Sequence, residues 1–321
     1  MTSSFVQFKL GARTATLGLR FWDPVSARLV GDGLRVVAYP VADPSRRAVA
    51  AVSPSQVWTF HKLPGMVVFE RSEGDAAAWS PPLQTRAYVV EVDDEQGRFV
   101  PFQLTVDAPV RGPFAWSPPV GVTFPRVPPG AVPLFSSATR KPPQGMGALR
   151  ADLWDPAAPT PFDLKGPGGP AAFALITAKV DGVSGLLGLA DALGRVALIF
   201  PYPAPALSGG VVIEPPPPGG GEPDPEEPGE EIPLHTAALT AQVWPVELSA
   251  RYAPAAGKPS THAKLSEALG QAAGTLWGTW DDTNAAARKA LSESLLSLSY
   301  GEELAVKSVG GRAGVLYLTR S

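Results

Sequence analysis

The sequence predicts a mainly β protein, built as two small β-sandwiches followed by a smaller α+β section. Three observations carry this. Proline and glycine together supply 70 of the 321 residues, nearly double the ~12% of an average chain. Hydrophobic residues still make up 45%, enough to fill a core rather than leave the chain disordered. Short apolar, β-branched runs recur between turn signals, the pattern of strands joined by tight connections.

The first unit spans 1–109. Residues 5–20 alternate loosely as strand material. Asp23-Pro24 starts a turn, because proline fixes φ and aspartate caps its own backbone. Gly31-Asp32-Gly33 makes a second turn, and Leu34 to Tyr39 forms a strand. Gln56 to Phe60 and Met66 to Glu70 are read as strands flanking the turn His61-Lys62-Leu63-Pro64-Gly65. Arg86 to Val92 and Phe99 to Val106 form a hairpin through Asp93–Arg98, with Gly97 free to take φ > 0. That is about seven short strands in ~105 residues, the density of a sandwich.

Residues 110–145 form a Pro-rich, extended connector. Trp116, Phe124 and Phe135 would be costly to leave in water, so the connector is expected to dock on a neighbour. A second unit covers 146–213 and repeats two motifs of the first. Phe21-Trp22-Asp23-Pro24 is echoed by Leu153-Trp154-Asp155-Pro156. Asp94-x-x-Gly97-Arg98 is echoed by Asp191-x-x-Gly194-Arg195. The spacing between the anchors differs, so the repeat is one of topology and not a solenoid period.

Residues 214–233 form an acidic Pro/Gly-rich linker or loop, expected to be extended and mobile. Its stretch 214–231 carries seven acids and no base, which leaves +4 on the rest of a chain whose net charge is −3. The final section, 234–321, is read as strands over 234–252 broken at Pro245. A helix is expected from Ser260 to about Gly278, on the spacing of Leu265, Leu269, Ala272 and Leu276. A second is expected from about Thr283 to Leu298, capped by Asp281 or Asp282, with Ala287, Leu291 and Leu295 as its stripe. A hairpin over 302–319 would turn at Gly310-Gly311. Two arrangements are open: this section folds alone, or 234–252 and 302–319 complete the second sandwich.

Candidate chemistry is sparse. With no cysteine, disulfides, thiolate metal sites and a cysteine nucleophile are excluded. His61, His235 and His262 lack metal-ligand spacing. Gly182-Val183-Ser184-Gly185 lacks the spacing of a nucleophile elbow. Gly257-Lys258 fails as a phosphate loop because Tyr252 stands where its first glycine must be and Pro259 follows, and Gly166–Pro170 fails because proline removes the required amides. The pairs Asp93/Asp94, Asp281/Asp282 and Glu302/Glu303 are adjacent, whereas glycosidase carboxylates face each other from separate strands. No catalytic, cofactor or metal residue is assigned.

Of eight tryptophans, Trp22 and Trp154 are expected in the cores, Trp58 in a strand, and Trp277 and Trp280 between the two helices. Trp79 and Trp116, beside Pro-rich turns, are the candidates for exposed partner contacts. Low basic content argues against a nucleic-acid partner. No run reaches 18 apolar residues, so no membrane insertion is expected. The N-terminus lacks the pattern of a secretory signal, so the expected location is the cytoplasm or a particle assembled there.

Two resemblances add to this. Trp22-Asp23-Pro24, Leu29–Val36 and Thr59–Gly65 in the first unit resemble carboxypeptidase regulatory-like domains. So does Gly188–Val196 in the second. These are transthyretin-like, Ig-like sandwiches, and the resemblance implies a support or binding module more than an activity. The Phe60-His61-x-Leu63-Pro64-Gly65 turn, the Asp191-x-x-Gly194-Arg195 to Pro203 ending and Tyr300–Leu304 are also similar to accessory components of phage-tail-like contractile injection systems. That implies a non-enzymatic assembly protein whose partners are subunits of a larger particle. The alternative is a carbohydrate- or ligand-binding, adhesin-like module using Trp79 and Trp116.

Overall fold

A computed structural model describes residues 15–71, 84–158, 168–181, 183–203, 242–254, 260–293 and 296–320. The chain is mainly β, as predicted, and its strands form several sheets.

The first part contains β1 (Leu17–Leu19), β2 (Phe21–Asp23), β3 (Arg28–Leu29), β4 (Leu34–Pro40), β5 (Ala48–Val49), β6 (Ala51–Val52), β7 (Trp58–Phe60), the short helix α1 (Val67–Arg71), β8 (Arg86–Asp94), β9 (Phe102–Ala108) and β10 (Val132–Pro133). Strands β5, β4, β8 and β9 form one sheet, while β1-β7-β6 and β10-β2-β3 form two smaller ones. Period-two alternation sets the faces. In β9, Phe102, Leu104, Val106 and Ala108 are buried while Thr105 and Asp107 are exposed. The sheets share one core, in which Phe21 meets Phe102 edge-on at 6.4 Å.

The predicted strand at Met66–Glu70 is instead α1. The amides of Phe69 and Glu70 both bond to the Met66 carbonyl, and the Glu70 carboxylate reaches back to accept the Leu63 amide at 3.0 Å. A helical turn buries Met66 and Glu70 while Val67 and Val68 face solvent. The apolar run of four misled, because its inner two residues point outward.

The connector docks as its aromatics require. Phe135 is buried, Phe124 meets both Trp116 (5.6 Å) and Phe135 (6.1 Å) edge-on, and β10 runs parallel beside β2.

The second part contains β11 (Met146–Asp155), β12 (Gly169–Pro170), β13 (Leu175–Val180), β14 (Val183–Leu189), β15 (Arg195–Pro201), β16 (Val243–Arg251), β17 (Ala263–Lys264), helix α2 (Leu265–Leu269), β18 (Ala273–Thr279), β19 (Lys289–Ala290), β20 (Leu296–Ser299), β21 (Glu303–Ala305) and β22 (Leu316–Arg320). Hydrogen-bonded pairing runs β15-β11-β22-β18-β16-β13-β14. Strand β14 then returns against β15. A Cβ on Gly188 would stand 2.8 Å from Leu198 and 3.0 Å from Val196. The sheet therefore curls back on itself around a core that includes Leu149, Ile176, Leu198, Trp244, Leu276 and Leu318.

The C-terminal section enters both cores. Strand β17 extends the five-stranded sheet, parallel to β9, and α2 buries Leu265, Ala268 and Leu269 in the first core. Strands β16, β18, β21 and β22 join the second sheet, so the described strands of this section pair with earlier ones rather than among themselves alone. Pro245 does not interrupt β16. It lies one residue beyond the end of the β13 pairing at Val246, where its missing amide leaves no gap in that ladder.

Both predicted helices are corrected. The first stops at Gly270 after five residues, and its far half becomes β18. Gly270, Gly274 and Gly278 disfavour a continuous helix, and strand pairing buries Leu276 instead. Ser260 does not cap it; its hydroxyl accepts the His262 amide at 3.1 Å. The second is not capped by Asp281 or Asp282: Asp281 Oδ1 accepts the amides of Thr283 and Asn284 in a preceding turn, and the N-cap is Asn284, whose Oδ1 accepts the Ala286 amide at 3.1 Å. It yields only 3-10 turns at Ala285–Ala287 and Leu291–Glu293, separated by β19 and followed by β20. Ala287 is only partly buried, while Leu298 is buried as a strand residue. The hairpin over 302–319 is also revised. Its turn holds, with the Ser308 amide on the Val315 carbonyl. Its arms, β21 and β22, each run parallel beside β11 instead of pairing with one another.

Candidate interaction site

The repeated motifs turn out to be matched structural devices. In the first, Asp23 Oδ1 accepts the Val25 amide at 3.0 Å. In the second, Asp155 Oδ1 accepts the Ala157 amide at 2.8 Å. Each carboxylate is buried, and each takes one long-range partner. Arg140 grips Asp23 through two bonds of 2.9 and 2.7 Å, and the Tyr252 hydroxyl donates to Asp155 at 2.9 Å. Burial opposes the charge on Asp23, but hydrogen bonds from Arg140 and Ser26 outweigh it and hold the carboxyl below its usual range. Burial, with the Asp155 charge beside it, pushes the Tyr252 hydroxyl well above the ordinary tyrosine value.

The second motif is a capped turn. Asp94 accepts the Arg98 amide and pairs with its guanidinium at 2.9 Å; Asp191 accepts the Arg195 amide at 2.9 Å and pairs with its guanidinium at 2.7 Å. Gly97 and Gly194 both sit at positive φ, 67° and 76°.

The candidate polar groups fall into structural places. His61 is exposed, and His235 lies outside the described residues. The ring of His262, which sequence reasoning left unpartnered, meets Asp93 at 2.9 Å and ties the segment before β17 to β8. Asp281 caps a turn, Asp282 accepts the Trp280 indole N–H at 2.8 Å, and Glu303 pairs with Arg150 at 2.8 Å. The remaining glycine-rich candidates, Gly257-Lys258, Gly166-Pro167 and Gly182 with the Ser184 side chain, lie outside what is described. Among the described residues, no group of three or more His, Asp or Glu is placed to hold a metal ion. No helix there is long and apolar enough to cross a membrane.

Of the two predicted contact residues, Trp79 lies outside the described residues. Trp116 is half-buried, with one edge held against Phe124 and its backbone bridged to Gly130. Trp22 is half-buried, and its indole N–H has no partner among the described residues, whereas Trp58 and Trp154 are buried.

Two surfaces emerge that were not singled out. The first is the corner at 48–52. Strand β5 pairs with β4 and β6 pairs with β7, so one continuous segment passes from the edge of one sheet to the edge of another. Its outer side carries Val49, 64% exposed, and Val52, 44% exposed; Val41 nearby in sequence is 51% exposed. The signal was available, since Ala48-Val49-Ala50-Ala51-Val52 is an uncharged apolar run bracketed by Arg46-Arg47 and Ser53-Pro54.

The second is the outer side of β11-β22-β18, which Trp154, Val315, Tyr317 and Trp280 close over as a small buried cluster of their own. Trp154, Tyr317 and Trp277 are direct neighbours in register across these strands and so share one face. The alternating residues Leu153, Leu316 and Leu276 enter the core on the other. Trp277 and Trp280 thus cover a sheet rather than a helix pair. Trp280 stacks on Tyr317 at 4.4 Å and 9° and meets Trp277 edge-on at 5.9 Å. Arg288 lies over Trp280 at 3.8 Å, and Arg312 over Trp154 at 4.2 Å. Gly311 is required here: at φ +63° its Cβ would fall 2.7 Å from the Tyr317 hydroxyl and 2.8 Å from Trp280.

No family model, curated protein or solved structure matches this chain.

Proposed function

We propose that this chain is a non-enzymatic structural protein whose two transthyretin-like or Ig-like β-sandwich units mediate contacts between subunits of a larger assembly. The observation that carries the reading is the 48–52 corner. An exposed strand edge offers unpaired backbone groups that only another extended segment completes. Two exposed valines on that edge add apolar area that a monomer does not benefit from leaving in water. The motif resemblances make a phage-tail-like contractile injection particle the assembly of choice.

The sugar-platform reading has less behind it, because Trp116 commits one edge to Phe124. The test is to tag the chain in its own host and sediment a gentle lysate. Recovery in a fast-sedimenting fraction with sheath-like and tube-like proteins supports the reading. Recovery only as a slow, lone species rejects it.

A further inference from the structure

We propose that a groove bordered by the terminal strands β3 and β6 receives an uncharged, extended segment of a partner subunit. It rests on the 48–52 edge being the assembly contact, and it adds the partner's path and chemistry.

The groove has a volume of about 540 Å3. Residues 28–32, which begin with β3, line it together with Val52, Ser53 and Gln56. Strand β3 ends the β10-β2-β3 sheet and β6 ends the β1-β7-β6 sheet, so each has one edge that no described strand covers. Two such edges beside one cavity suit a chain that arrives extended and seeks main-chain partners.

The walls are set before any partner arrives. The Trp58 indole N–H donates to the Val30 carbonyl at 2.7 Å, and Arg98 Nη2 donates to the Asp32 carbonyl at 2.9 Å. A Cβ on Gly31 would stand 3.0 Å from Gln56 Cγ, so the two sides interlock. Among the described residues, four that are not glycine hold positive φ. Two of them belong here: Ala27 (50°), directly before β3, and Gln56 (60°). Backbone held in that region concentrates where a surface is shaped for contact. A preformed groove lowers the ordering cost of binding.

Charge selects the occupant. Arg28, Arg98 and Arg140 line the groove with Asp23 and Asp32, and Asp94 backs Arg98 at 2.9 Å. Three cations thus meet three carboxylates, so neither an acidic nor a basic segment gains from the local field. A neutral main chain, which carries a donor and an acceptor at each residue, can use both. A sugar finds no ring to lie on. Phe99, the aromatic residue of the lining, is 4% exposed, with the Arg98 and Arg140 guanidiniums 5.1 and 4.9 Å from its centre. Val52, 44% exposed, gives the segment an apolar contact.

The test sediments the full chain from its own host. Arg28→Trp fills the groove, Lys179→Trp is a control on the second unit, and Val49→Lys/Val52→Lys runs beside them. The expected result is at least a tenfold loss of Arg28→Trp from the fast fraction, with Lys179→Trp retained. Wild type should also stay when salt is raised, because a neutral main chain is not screened. Thermal melts confirm folding, and Asp32→Trp decides if Arg28→Trp is unfolded. Retention of the folded groove variant while the valine variant is lost overturns the groove and leaves the edge reading standing. A slow wild type, or retention of the valine variant, overturns both. Equal loss of Lys179→Trp, or release of wild type from intact particles at high salt, overturns the groove proposal.

Discussion

The Tyr252 hydroxyl donates to the Asp155 carboxylate at 2.9 Å, across 97 positions of sequence. It joins the end of β11 to the residue that follows β16, and both groups are buried. The bond is the second unit's counterpart of the Arg140–Asp23 pair in the first. One motif, Trp-Asp-Pro, thus anchors each part of the chain through a different distant partner.

Tyr252→Phe deletes that donor and leaves Asp155 with one bond fewer in a buried site. A loss of about 1–3 kcal/mol in denaturant unfolding is expected. The pH dependence has a definite sign. The folded-state pKa of Tyr252 is raised, so its contribution is complete below the ordinary tyrosine value and fades as pH rises through and beyond it. The gap between wild type and Tyr252→Phe should narrow in alkali; a constant gap would contradict this.

Arg140→Met strands the Asp23 carboxylate without its cation. A cost of roughly 3 kcal/mol at neutral pH is expected for a broken buried pair. Asp23 has a depressed pKa, so the pair's stabilisation is present above the usual carboxylate range and lost as pH falls through the folded value. Urea titrations at neutral and acid pH should show the penalty shrinking at low pH.

The twin turns allow a controlled comparison. Gly97 and Gly194 share positive φ, but a Cβ at Gly97 meets nothing within 4 Å while one at Gly194 falls 2.5 Å from the Leu153 carbonyl oxygen. Gly97→Ala should therefore cost only the backbone term of about 1 kcal/mol. Gly194→Ala should cost distinctly more, because backbone must move. Equal midpoint shifts in chemical denaturation would refute the steric part.

The first part of the fold was legible because its strands alternate. Phe102, Leu104, Val106 and Ala108 announce a face without reference to any partner. The C-terminal section was not, since the spacing of Leu265, Leu269, Ala272 and Leu276 satisfies a helical stripe almost as well as a broken one. The arrival of β22 and β16 beside β18 decides between them, and such pairings between distant segments leave no local trace. The same holds for the outer face. Trp154, Tyr317 and Trp277 become neighbours only through register across three strands. Asp281 does take the amides of the turn that follows it, but the short 3-10 helix is capped by Asn284, so the capping signal marked a turn and not a helix start. The 48–52 edge was readable as an uncharged run, but its two-sheet position was not.

The most direct test of the assembly account is sedimentation of the Val49→Lys/Val52→Lys double variant from its own host, beside wild type. Both positions are exposed, so the melting temperature should match wild type within a few degrees. The account predicts that wild type travels with a fast-sedimenting particle and that the folded double variant shifts to the slow fraction. Co-sedimentation of the double variant at wild-type level would show that this strand edge is not the contact.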